Sequence, residues 1–108
     1  MRINDHAHLV APLYSDIKFI VMLESHLTYI ANQPTTRILP VNTHRGIKYL
    51  GAFYDLLNDM NVNPEYHYIT MRINGYTNSA SYRGDRSMIL VPDSTTIETL
   101  ASVFLASV

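Results

Sequence analysis

With 108 residues the chain has material for one modest core and no length for a second domain. Its formal charge is -1, and its arginines (positions 2, 37, 45, 72, 83 and 86) are scattered and offset by nine acids, which speaks against a nucleic-acid partner. There is no cysteine, hence no disulfide and no cysteine-based zinc site, and the longest purely apolar run, Phe19 to Leu23, is far short of a membrane span.

The start of the chain carries Arg2, Asp5, His6 and His8 and then Pro12, without the continuous apolar segment of a signal peptide. A soluble chain, intracellular when made, is the expectation. The choice of polar residues is more telling. Charged residues make up 16% of the chain, against roughly 25% in ordinary domains. Two lysines and three glutamates stand against six arginines, eight tyrosines and five methionines. Protein–protein interfaces are enriched in Tyr, Met and Arg and depleted in Lys and Glu, so the composition predicts a surface largely covered by partners.

Residues 1 to 14 have no sustained period and read as an arm. Ser15 to Asn32 reads as one helix, with Ser15 as N-cap and Asp16 in the first turn, where a negative charge suits the helix dipole. Ile17, Ile20, Val21, Leu27 and Ala31 form one apolar stripe; Phe19, Leu23, His26 and Ile30 form another. A helix this apolar around its circumference predicts burial on all sides, part of it by another chain. Thr36 to Val41 is an extended segment, and Pro40 makes it an edge strand or the first strand of a small sheet.

Thr43 to Met60 reads as a second helix, capped by Asn42 or Thr43, with Ile47, Leu50, Tyr54 and Leu57 at helical spacing and Gly51 placed for close packing. Residues 61 to 75 support two readings. Asn63-Pro64-Glu65 is a helix start and Asn74-Gly75 a left-handed stop. The alternation of His67, Ile69, Met71 and Ile73 before Asn-Gly suits a hairpin strand, which propensity alone favours by a little. Tyr76 to Ser87 is polar and loop-like. Met88 to Val91 is a short strand ended by Pro92-Asp93. Thr95 and Glu98 suggest a capping box opening a last helix that runs through Ser107 and needs something to dock on.

Candidate chemistry is sparse. Asp5-His6-Ala7-His8 is a fragment of a metal site without third and fourth ligands, and reads as a solvated arm. His26 and His67 read as hydrogen-bonded interior or interface residues. No Gly-x-Ser-x-Gly elbow occurs, and Asp55 and Asp59, four apart, suit a solvated helix flank better than a cleft. The four glycines are isolated, so no phosphate loop forms. Arg83-Gly84-Asp85 spells an adhesion tripeptide and reads as an ordinary polar turn. No catalytic, cofactor-binding or metal-ligating residue is assigned, and no enzyme activity is expected.

From Ile38 to Asp93 the order is extended segment, helix, helix or strand, polar loop, short strand. Ile47–Met60 occupies the place of a first helix, and Tyr68 to Gly75 that of a second ending in an Asn-rich turn. Gly84-Asp85 followed by Met88-Ile89-Leu90-Val91-Pro92 looks like a terminal G-x-x-L-x-I-P pattern. These features resemble a LysM domain, a βααβ module, and within that group the LysM-like baseplate wedge proteins of contractile-tailed phages. The usual Gly-Asp-Thr after the first strand is replaced by Thr43-His44-Arg45-Gly46, and the loop Thr77 to Ser87 is long.

The resemblance implies an α+β fold: a LysM-like βααβ core over residues 37–93, flanked by an N-terminal arm and apolar helix (1–36) and a C-terminal docking helix (94–108). It implies a helix over Tyr66 to Gly75, and a structural plug between larger subunits of a phage tail or baseplate. The partners would be other structural proteins and copies of the chain itself, with neither nucleic acid nor membrane. The expected contact residues are Phe19, Met22, Leu23, Tyr29, Arg83, Arg86, Phe104 and Leu105. The alternative is a peptidoglycan-binding module that uses Tyr76 and Tyr82.

Overall fold

A computed structural model describes residues 13, 16–84 and 86–106. Most of the N-terminal arm, Ser15, Asp85 and Ser107, and with them the readings placed on His6 and His8, lie outside the described residues.

In chain order the elements are α1 (Ile17–Ser25), α2 (Leu27–Ala31), β1 (Arg37–Pro40), α3 (Thr43–Lys48), α4 (Phe53–Asp59), a 3-10 turn (Pro64–Tyr66), α5 (His67–Ile73), a second 3-10 turn (Ser79–Ser81), β2 (Met88–Val91) and α6 (Ser94–Ala106). The α+β class expected from the sequence is what forms: helices around one two-stranded antiparallel sheet.

Two helices expected to be continuous are broken. The first breaks at His26, because Met22 O is engaged by side chains: Ser25 Oγ donates to it at 2.7 Å and His26 Nδ1 lies 2.7 Å from it. The His26 amide turns instead to Leu23 O, three residues back, and the helical ladder stops. The second breaks at Gly51, whose φ of +70° ends the run after α3; its N–H donates to Tyr82 O at 2.9 Å. Gly51 is therefore a stop rather than a packing notch. At the last helix, Asp93 takes the capping role expected of Thr95 and Glu98. Its Oδ1 accepts from Thr95 N at 3.4 Å and its carbonyl from Thr96 N at 3.1 Å.

Within residues 61 to 75 the helical reading holds over Pro64–Tyr66 and His67–Ile73. Asn63 Oδ1 accepts from Glu65 N at 3.0 Å, and Pro64 opens the 3-10 turn that leads into α5. At the far end Gly75 (φ +90°) donates to Arg72 O and Tyr76 N donates to Met71 O at 3.2 Å, a paired stop of the Schellman type. The hairpin reading loses for a specific reason. Asn74, inside the Asn-Gly pair, spends its side chain on tertiary bonds. Its Nδ2 donates to Thr70 O at 2.7 Å and to Leu90 O at 2.8 Å, and its Oδ1 accepts from Leu90 N at 2.8 Å.

Those bonds complete the sheet. Arg37 pairs with Val91, Ile38 with Leu90, Leu39 with Ile89 and Pro40 with Met88. Val41 N donates to Ser87 O at 2.7 Å, which fixes the alternation. Pairs 38/90 and 40/88 are the ones that exchange no backbone bonds. Pro40 therefore lacks an N–H where the ladder asks for none, and Leu90 turns its backbone groups outward, where the Asn74 amide meets both. A side chain stands in for a third strand.

Two apolar clusters result, with α5 between them. Met71 joins Val41, Phe53, Leu56, Leu57, Tyr82 and Ile89 beneath the sheet. Ile69 and Tyr66 join Phe19, Leu23, Ile30, Ile97 and Phe104 on the other side. Four of the seven residues of α5 are buried, so the helix is a wall shared by both cores. Burying a side chain the size of Ile69 stabilises by about 1.5–3 kcal/mol, and α5 contributes in this way to both clusters.

Replacing Asn74 by Ala strands Leu90 N–H and C=O beside a buried turn. We expect a loss of about 3 kcal/mol in urea unfolding, and Asn74→Asp, which cannot donate, should lose a similar amount.

Candidate partner-binding surfaces

The polar clusters among the described residues hold elements together. Glu24 on α1 receives a two-pronged ion pair from Arg72 on α5, Nε to Oε1 at 2.8 Å and Nη2 to Oε2 at 2.9 Å. Tyr68 OH donates to the same Oε1 at 2.6 Å, and Arg72 Nη1 donates to Tyr76 O at 2.9 Å. The Arg72 hydrogen bond holds the Glu24 carboxyl below its ordinary range, against an opposing contribution from burial. Burial, and then Glu24, push the Tyr68 hydroxyl up to about 12. On the opposite flank of α5, Tyr66 OH donates to Glu98 Oε1 at 3.1 Å and ties the 3-10 turn to α6; burial and the nearby acids raise its pKa.

The histidines take structural places. His67 is buried, with Nε2 2.8 Å from Val62 O and its ring 5.6 Å from that of Tyr54. His26 serves the helix break. No group of three or more His, Asp or Glu side chains close enough to hold a metal occurs among the described residues. Asp59 meets Arg45 at 3.3 Å on an exposed flank and Asp55 is exposed one turn earlier, so these two acids line no cleft.

The expected contact residues divide. Phe19 and Leu23 are wholly buried, and the Phe19 ring meets Phe104 edge-on at 5.3 Å; Phe104 itself is 9% exposed and Met22 half-buried. These side chains fill the second core, so they are not available to a partner. The physical reason is that Phe19, Leu23, His26 and Ile30 form the stripe that turns inward against α5 and α6. The other stripe faces out: Ile17 is 76% exposed and Val21 62%. Tyr29, Leu105, Arg83 and Arg86 stand at the surface. Sequence reasoning missed Ile17, Val21, Ile38, Ile47, Leu50, Met88 and Val103, all large, apolar and exposed. The two-fold alternation along the strands signals Ile38 and Met88. It puts Ile38, Pro40, Met88 and Leu90 on one face of the sheet, opposite Leu39, Ile89 and Val91.

The polar loop after α5 is ordered by what it buries. Tyr76 and Tyr82 stack around Phe53, with centroids 5.1 and 5.2 Å from it and 5.6 Å from each other. A glycan platform on these two tyrosines is thereby lost, since both rings lie inside the core. The loop also closes directly on α3: a Cβ on Gly84 would come within 2.7 Å of Gly46 O, so the two backbones touch. Space between these loops for a sugar is correspondingly reduced. A cleft of about 350 Å³ lies at the other end of the sheet between Arg37, Asn61, Asn63, Tyr66 and Asp93.

The Glu24 clamp gives a pH prediction. A carboxyl whose pKa is lower folded than unfolded contributes stability above the ordinary value of about 4.3, and that stability is lost as pH falls through the depressed folded value. Glu24→Gln should cost about 1–2 kcal/mol at pH 7 and flatten the stability curve on the acid side of pH 4.5. Thermal unfolding of both chains across pH 3 to 7 checks it; parallel curves would show that Glu24 contributes nothing to the pH dependence.

No helix of the described residues is long and apolar enough to cross a membrane. Comparisons of the chain with protein-family models, with curated proteins and with solved structures find no match.

Proposed function

We propose that the chain is a non-enzymatic structural protein of a large assembly, in its most concrete form a phage tail or baseplate component that joins larger subunits within the virion. The observation that carries the reading is the outer face of the sheet. Ile38 is 61% and Met88 57% exposed, Pro40 is exposed on the same face, and Leu90 beside Ile38 is half-buried. Contiguous exposed apolar surface on a small domain marks an interaction site. The depletion of Lys and Glu supports the same reading, since a free monomer of this size gains solubility from charge. The LysM-like resemblance implies two strands around two helices; the two strands pair, but three helices rather than two intervene, because the first breaks at Gly51. The other partners are neighbouring structural proteins, recognised by apolar contact with polar rims.

Replacing Ile38 and Met88 by Ser leaves both cores intact, so the fold should persist by circular dichroism. Light scattering coupled to size exclusion should show the unmodified chain associating, alone or with a co-expressed neighbour, and the double variant losing that association. A stable monomer at high concentration that captures no neighbour contradicts the proposal.

A further inference from the structure

Charge is distributed unevenly along the sheet axis, and the two ends carry opposite signs. At the Pro40/Met88 end, α3 and the loop before β2 are locked together by the Gly46–Gly84 contact and by the Gly51–Tyr82 hydrogen bond. This fixed surface presents Lys48, Arg83 and Arg86 beside exposed Ile47, Leu50 and Met88. Lys48 lies 5.4 Å from the Tyr49 ring and Arg86 5.3 Å from the Tyr76 ring; Arg83 has no hydrogen bond or ion pair among the described residues. Asp59 is paired with Arg45, and Asp85, which lies between Arg83 and Arg86 in the chain and outside the described residues, offsets one of the three cationic charges.

At the Arg37/Val91 end, about 10 Å along the strands, the chain turns through Asp93 into α6. Here Glu98 is bonded to Tyr66, Glu65 precedes it in the chain, and Asp93 shares the cleft with it. Within the cleft lining Arg37 offsets Asp93; Glu98 and Glu65 lie near Tyr66 outside that lining and leave this end with an acidic excess. Exposed Tyr29 and half-buried Leu100 flank Asp93 in an adjoining groove, so this end too combines apolar and charged groups.

We infer that the chain associates with copies of itself head to tail, the Lys48/Arg83/Leu50 end of one copy seating on the Asp93/Glu98/Tyr29 end of the next. This rests on the assembly reading and names a partner within it, a second copy of the same chain. The complementarity lies between two different surfaces, so the contact is heterologous: it repeats, and closes only if the rotation makes a ring. Attraction between exposed charges is screened over about 8 Å at physiological salt, so the contact weakens as salt rises.

The test uses the full chain and two surface variants, with folding verified by circular dichroism. Lys48→Ser with Arg83→Ser removes the charge of the basic end, and Thr35→Lys with Thr95→Lys, both exposed, spoils the acidic end without creating a complement to the first variant's altered end. In light scattering, the unmodified chain should grow in mass with concentration at low salt. Raising salt to about 0.5 M should weaken the association about tenfold or more. Each variant alone should stay a monomer. Their equimolar mixture should form pairs and stop at two chains, because each variant keeps one intact end. Association that survives both variants and high salt overturns the head-to-tail inference and leaves the assembly reading standing. A chain monomeric at low salt overturns the inference, and if it also captures no neighbour the assembly reading falls with it.

Discussion

The fold depends on one constraint: a seven-residue helix must close two apolar clusters at once, and the Asn74 amide holds it in register with the sheet. A two-stranded sheet is marginal by itself, because a single pair leaves backbone groups open on both outer edges. Asn74 answers the open groups of Leu90 from the end of α5, so the helix and the strand fix each other. Arg72 then ties the same helix to Glu24 on α1, and Tyr66 ties its start to Glu98 on α6. Each terminal helix thus reaches the sheet through α5.

That economy has a consequence at the surface. A chain of 108 residues that builds two small cores leaves little material to cover their outer faces. The stripe with Ile17 and Val21, the outer sheet face with Ile38 and Met88, and α3 with Ile47 and Leu50 remain in solvent. The loop after α5 behaves in the opposite way. It is polar by composition, yet Tyr76, Tyr82 and the close approach of Gly84 to Gly46 pin it, so it presents its arginines on a fixed base. Preorganised surfaces of this kind lose less entropy on binding.

Local signals survived folding where backbone chemistry decides. Asn63-Pro64-Glu65, the strand at Met88–Val91 and the edge role of Pro40 were legible because caps and missing donors act within a few residues. Continuous periodicity misled at two places. Apolar spacing runs straight through His26 and Gly51, but side-chain competition for Met22 O and a left-handed glycine end the helices there. The surface was the least legible part. The α1 sequence offers two apolar stripes, and only the tertiary position of α5 and α6 determines that Phe19 and Leu23 go inside while Ile17 and Val21 stay out. The tertiary bonds of Asn74 likewise leave no trace in a pattern whose propensities lean to a hairpin strand.

If α5 is the shared wall, the two clusters cannot melt separately. Ile89 reports on the cluster beneath the sheet and Ile97 on the one beneath the terminal helices. The most direct measurement follows the methyl resonances of both residues through one urea titration. The account predicts a single coincident transition. Loss of the native Ile97 signal while Ile89 stays native, or the reverse, would contradict it and make the terminal helices a separately folding layer.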